Sequence, residues 1–227
     1  MTTFEQTIQQ VPPAAPARPL NPWFMMFVRP RQTMRQILDG ESTRFVVGLA
    51  MLGGVLIMLD NASKNGLGES MPVATILGLA ALIGVPVGLT VLYLGGAVIA
   101  WTGSWFGGQA TAAEVRAALV WGRVPLYWAG LLWLPYFGLF GGDVFLNELP
   151  SVEAQPWLLF VLLNLAVLET VLGVWGLVTL VFAVAEAHRF PAWNALGSIV
   201  TAMVLIVIPL LLLTMIAGVM WVLLMDW

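Results

Sequence analysis

The sequence predicts an all-α fold, a polytopic membrane bundle of five transmembrane helices with short interfacial helices. Three observations predict it. Of 227 residues, 60% are hydrophobic and only 9% charged, where a soluble domain carries about 25% charged residues. Five apolar runs, near 44–59, 72–101, 124–140, 157–184 and 195–224, approach or exceed the roughly 17–25 residues that cross a bilayer core. The basic residues cluster in alternate connections between those runs.

Residues 1–20, MTTFEQTIQQVPPAAPARPL, are polar and rich in Pro and Ala. They can bury little and are read as a disordered cytosolic tail. No basic stretch leads into an apolar run there, so they do not resemble a cleaved signal peptide. Residues 21–43 read as an amphipathic segment lying on the membrane surface. Pro30 suits a helix start and Gly40 its end. Met34, Ile37 and Leu38 fall on one face, Arg31 and Arg35 on another, and Trp23, Phe24, Phe27 and Arg29 stand just upstream.

Residues 44–227 form the expected membrane domain. The first and third runs are short, so either could be re-entrant; the second and fifth are long enough to tilt or kink, with Pro86 and Pro209 inside them. In the second, Ala80, Gly84, Gly88, Gly96 and Ala100 recur at multiples of four, a small-residue groove for close helix approach. Its partner is read as another helix of this chain, with a homo-oligomer face as the alternative. Between the second and third runs, Thr111 and Glu114 have capping-box spacing. They open a short helix, either a connector or an interfacial element.

Charge sets the orientation. Eight of the nine basic residues (Arg18, Arg29, Arg31, Arg35, Arg44, Arg116, Arg123 and Arg189) fall on the N-terminal side, leaving only Lys64 opposite. The positive-inside rule then puts the N-terminus in the cytoplasm of an inner membrane and the C-terminus in the periplasm. This alternation requires an odd number of spans.

The sequence holds few chemical signatures. There is no Cys and a single His, His188, so no thiolate chemistry, metal or other cofactor is expected. Phosphate-loop, zincin and nucleophile-elbow motifs are missing. The GLFGGD stretch has the wrong glycine spacing and no second acid for an aspartyl protease. No enzyme activity and no nucleic-acid partner are expected; the partners are the bilayer, anionic lipid included, and an unspecified membrane or cytosolic protein.

One ionisable residue interrupts the apolar fourth run, Glu169 in NLAVLETVLGVW. On a helix it shares a small-residue stripe with Ala166, Gly173 and Gly176 and should face the bundle. A carboxyl desolvated there favours its neutral form. It is read foremost as an interhelix hydrogen-bonding group, with Thr90, Tyr93, Tyr127, Thr201 or carbonyls freed near Pro86 and Pro209 as partners. A proton or ion relay and a lipid-headgroup contact are the other readings.

Three stretches together, NPWFMMFVRPRQTMRQIL, EVRAALVWGRVPLYWAGLLW and VWGLVTLVFAVAEAHRFPAWNAL, resemble the bacterial branch of the Yip-domain family over about residues 21–215. The resemblance implies a five-helix membrane domain with a cytosolic N-terminus. Eukaryotic relatives act in ER–Golgi traffic and bind prenylated Rab-type GTPases. This chain departs from their pattern, having GRVP at the third span and DNASKNGLGES in the first outer loop, so GTPase binding is not carried over. The expected role is a non-enzymatic membrane organiser or scaffold, and the alternative is a small transporter, channel or lipid-moving protein that uses Glu169.

Overall fold

The computed structural model describes residues 20–40 and 45–225. The expected disordered tail, Leu20 apart, lies outside the described residues, as do Arg18, Arg44 and the C-terminal residues 226–227. Every regular element among the described residues is helical. Two short helices, α1 (Pro22–Val28) and α2 (Pro30–Asp39), precede the first span, α3 (Val46–Lys64). The second span joins α4 (Val73–Thr90) and α5 (Gly96–Trp105) through a π-helical turn at Val91–Gly95. Then come α6 (Ala112–Trp121), α7 (Val124–Gly130) and α8 (Trp133–Phe140), followed by a 3₁₀ turn at Gly141–Phe145, α9 (Pro150–Ala154), α10 (Trp157–His188) and α11 (Ala192–Met225). Five helical stretches are long and apolar enough to cross a membrane: α3, Val73–Trp105, Val124–Phe145, α10 and α11.

The tightest contact joins α3 to α4, and glycine makes it possible. A Cβ on Gly54 would strike the backbone of Gly84 and Gly88. One on Gly88 would strike the Ala50 carbonyl, and one on Gly84 would lie 2.6 Å from Val55 Cα. Without a water-driven hydrophobic effect between helices, such backbone approach supplies much of the attraction. The small-residue groove of the second span is thus filled at Gly84 and Gly88 by this chain's own first span. Farther along, Gly96 gives room to the Arg116 side chain of α6.

The third span is broken for a local reason. Pro135 has no N–H, and its ring crowds the carbonyl four residues earlier, that of Leu131. The helix accordingly stops after Gly130, passes Leu131 and Leu132 with tighter bonds to Trp128 and Ala129 (3.1 and 2.9 Å), and restarts at Trp133.

Between the second and third spans, α6 is neither a simple connector nor a surface helix. Val115 and every residue from Ala117 to Trp121 are buried. It packs on α10, α5, α3 and α2. At its start the Thr111 hydroxyl accepts from Glu114 N–H (3.2 Å), while Glu114 accepts from Thr111 N–H and hydroxyl (2.7 and 2.8 Å). At its end, the Thr179 hydroxyl of α10 donates to the Gly122 carbonyl at 2.6 Å. A second lock, Thr102 hydroxyl to Ser198 carbonyl (3.0 Å), ties α5 to α11. His188 wedges between Gly103 and Gly108, where either glycine's Cβ would enter its ring. Beyond Ala202, α11 has no buried residue, and its all-round apolar surface suits lipid.

Steric closeness predicts sharply different costs for glycine substitutions, read as detergent-solubilised Tm. Gly54→Ala, Gly84→Ala and Gly88→Ala should each destabilise by at least about 1–3 kcal/mol through overpacking. Gly218→Ala, with nothing within 4 Å, should be neutral or stabilising by up to about 1 kcal/mol through helix propensity.

The cap has a pH signature. Its backbone bond from Thr111, aided by the Thr111 hydroxyl and Arg189, holds the Glu114 carboxyl below its ordinary value of 4.5. A lowered folded-state pKa gives stability that is present above pH 4.5 and lost as pH falls through the folded value. Thr111→Ala should cost about 1 kcal/mol at neutral pH. In Glu114→Gln this component of acid sensitivity should vanish from a Tm-versus-pH series.

Candidate functional site

The first, third and fourth spans, with parts of the second span and α6, enclose a cavity of about 620 Å³, open at its rim. That size falls within the roughly 300–1,000 Å³ of small-molecule sites, which are largely apolar with a few placed polar groups. The lining follows this pattern. Leu56, Leu126 and Trp133 are among the apolar walls, and the ionisable side chains are Asp60, Lys64, Arg123, Tyr127, Tyr136 and Glu169.

Each polar group arrives there for a traceable reason. Because α3 continues to Lys64, Asp60 and Lys64 lie one turn apart at the end of a span. Arg123 caps α7, and Tyr127 stands one turn further on the same face. The break imposed by Pro135 resets the helical phase, and Tyr136 follows on the restarted helix. Its hydroxyl donates to Glu169 Oε2 across to α10 at 3.3 Å.

Glu169 is half-buried and borders the cavity. Its stripe does not pack uniformly on another helix. Gly176 is buried against Leu126, whereas Gly173 has open space and Ala166 is exposed. The expected interhelix hydrogen bond exists, but its partner is Tyr136. Thr90 and Thr201 bond their own helices, at Pro86 and Gly197 carbonyls (2.9 and 2.8 Å). Tyr93 lies under the Arg116 guanidinium, 5.2 Å from its ring centre, and Tyr127 lines the cavity without reaching Glu169 through a hydrogen bond.

The membrane-surface candidates sit together at the N-terminal base of the bundle. Trp23 packs edge-on against Trp121 and Tyr127, with ring centres 5.7 and 6.5 Å apart, and Phe24 lies 5.5 Å from Trp128. The apolar face of α2 is sunk into protein, with Thr33, Met34 and Ile37 buried against α10 and α6. Arg35 pairs with Glu186 at 2.5 Å, and Arg31 lies 5.6 Å over the Phe182 ring. Arg29 is exposed and forms no ion pair among the described residues. So Trp23, Arg31 and Arg35 are engaged with the bundle, while Phe24, Val28 and Arg29 present the outward edge.

No local pattern in the sequence brings Asp60, Arg123, Tyr127 and Tyr136 together. The available signals were the i,i+4 pairs Asp60/Lys64 and Arg123/Tyr127, and Pro135 inside an apolar run. Among the described residues no group of three His, Asp or Glu could hold a metal ion.

The Tyr136–Glu169 bond should behave as a modest interhelix tie. Tyr136→Phe should lower stability in bilayer or detergent by about 0.5–1.5 kcal/mol. Combined with Glu169→Gln in a double-mutant cycle, it should show a coupling energy of similar size. Strict additivity would mean that the two side chains do not bond.

Compared with known proteins, residues 24–224 match a family model described as the Yip1 domain. No curated protein and no solved structure matches the chain.

Proposed function

This chain belongs to the Yip1-domain family, and on that footing we propose that it is a non-enzymatic organiser or scaffold of a bacterial inner membrane. It reads anionic lipid with the edge of α1 and recruits a membrane or cytosolic protein at its N-terminal face. The N-terminus lies in the cytoplasm and the C-terminus in the periplasm, a reading supported by the eight basic residues on the N-terminal side.

The observation that carries this reading is the outward edge of α1. Phe24 and Val28 are 54% and 74% exposed, and the exposed Arg29 guanidinium follows directly. Trp23 holds this edge to the bundle, and the Trp128 indole donates to its carbonyl at 3.2 Å. An apolar edge beside a cation that has no ion-pair partner among the described residues suits a headgroup region. A basic residue near an anionic surface contributes about 1 kcal/mol.

The chain has no Cys, so Phe24→Cys in the full-length protein accepts a single environment-sensitive fluorophore. In nanodiscs its emission should shift further to the blue with phosphatidylglycerol than with phosphatidylcholine alone, and Arg29→Gln should remove most of that difference. Equal emission in both lipids would sink the lipid-reading part of the proposal.

A further inference from the structure

Arg123 brings a cation to the wall of the cavity. It is half-buried at the start of the third span and makes no ion pair among the described residues. An arginine stays charged in a protein even there. One turn on, Tyr127 is 8% exposed, and its hydroxyl has no hydrogen-bond partner among the described residues. Interior polar groups without partners are costly.

These donors are not sealed in. Among the described residues, the buried side-chain N and O atoms that lack both partner and access are Trp121 Nε1 and the two His188 ring nitrogens. The Arg123 guanidinium and Tyr127 hydroxyl are not among them, and both residues line the cavity. At i and i+4, they converge from one helix face on the same end of that space. The carboxylates that line the cavity, Asp60 and Glu169, group with Tyr136 toward its other end. Tyr136, which bonds Glu169, lies about 20 Å from Arg123 along the span at 1.5 Å per residue.

We infer that this cavity binds a phospholipid, its phosphate held by Arg123 and Tyr127 and one acyl chain laid along the apolar walls toward Tyr136. A guanidinium and a phenol hydroxyl supply charge-assisted and neutral donors to phosphate oxygens. The walls supply the rest: Leu56, Leu126, Trp133 and Leu162 flank the space, and Gly173 leaves it open. One leaflet of a bilayer core is about 15 Å deep, half of roughly 30 Å, so a path of about 20 Å holds one acyl chain together with the glycerol that joins it to the phosphate. The surrounding membrane provides the ligand. The outward residues of the α1 edge, Phe24, Val28 and Arg29, do not line this cavity, although Trp23 of the same helix packs on the Tyr127 ring.

Native mass spectrometry of the full-length protein in detergent tests the site with two probes, dioleoyl phosphatidylglycerol and dioleoylglycerol. The wild type should retain one phosphatidylglycerol and bind dioleoylglycerol at least about tenfold more weakly, since only the former carries phosphate. Arg123→Gln should weaken phosphatidylglycerol binding about tenfold or more, and Tyr127→Phe by several-fold. Gly173→Phe, which fills the chain's path without removing a charge, should also weaken it, while Gly218→Ala, in open space away from the cavity, should leave it unchanged. Should Arg123→Gln fail to fold, the Tyr127 and Gly173 variants decide. Equal retention of the two probes, or wild-type binding by both Tyr127→Phe and Gly173→Phe, overturns the proposal.

Discussion

The N-terminal half of the bundle is assembled around α6, a ten-residue helix with little exposed surface. A helix this short is marginal by itself, so its stability must come from packing and caps. The Thr111–Glu114 cap satisfies its first donors, and the Thr179 hydroxyl takes up the carbonyl of Gly122 at its end. Once so closed, α6 can sit among α2, α3, α5 and α10 without leaving backbone groups bare in an apolar setting. The same placement brings Arg123 inward at the mouth of the third span. The cavity's charged end is thus a consequence of where α6 stops.

Small residues and proline then shape opposite sides of the molecule. Gly54, Gly84 and Gly88 draw α3 and α4 together until backbone meets backbone. Pro135 does the reverse, interrupting the third span between α7 and α8. Close approach on one side and a broken helix on the other leave space between α3, the third span and α10. Membrane helices tolerate such interruptions where they line a cavity or are buried by protein. The Tyr136–Glu169 bond spans this space but does not close it.

Glu169 shows how a site can be half legible. Period and hydropathy put a carboxyl on the inner stripe of the fourth run, and it does meet another helix through a hydrogen bond. Its partner could not be chosen from sequence, because the phase of Tyr136 depends on how far Pro135 interrupts the helix. Likewise Arg31 and Arg35 belong to the polar face of α2 by spacing alone. That they engage Phe182 and Glu186 follows from docking α2 on α10, which no local pattern encodes.

The helical class, the five apolar stretches and the grouping of basic residues were determined by the sequence itself. These depend on local quantities: hydropathy summed over a window, periodicity, and where charge is tolerated near lipid. The tertiary structure alone decided that α6 is a core element, that Gly84 and Gly88 face α3, and that Arg123, Tyr127, Asp60 and Glu169 share one cavity. Those outcomes depend on which faces meet across long separations. In a chain apolar on almost every face, hydrophobicity does not select among pairings, and backbone fit at glycines together with a few hydrogen bonds does.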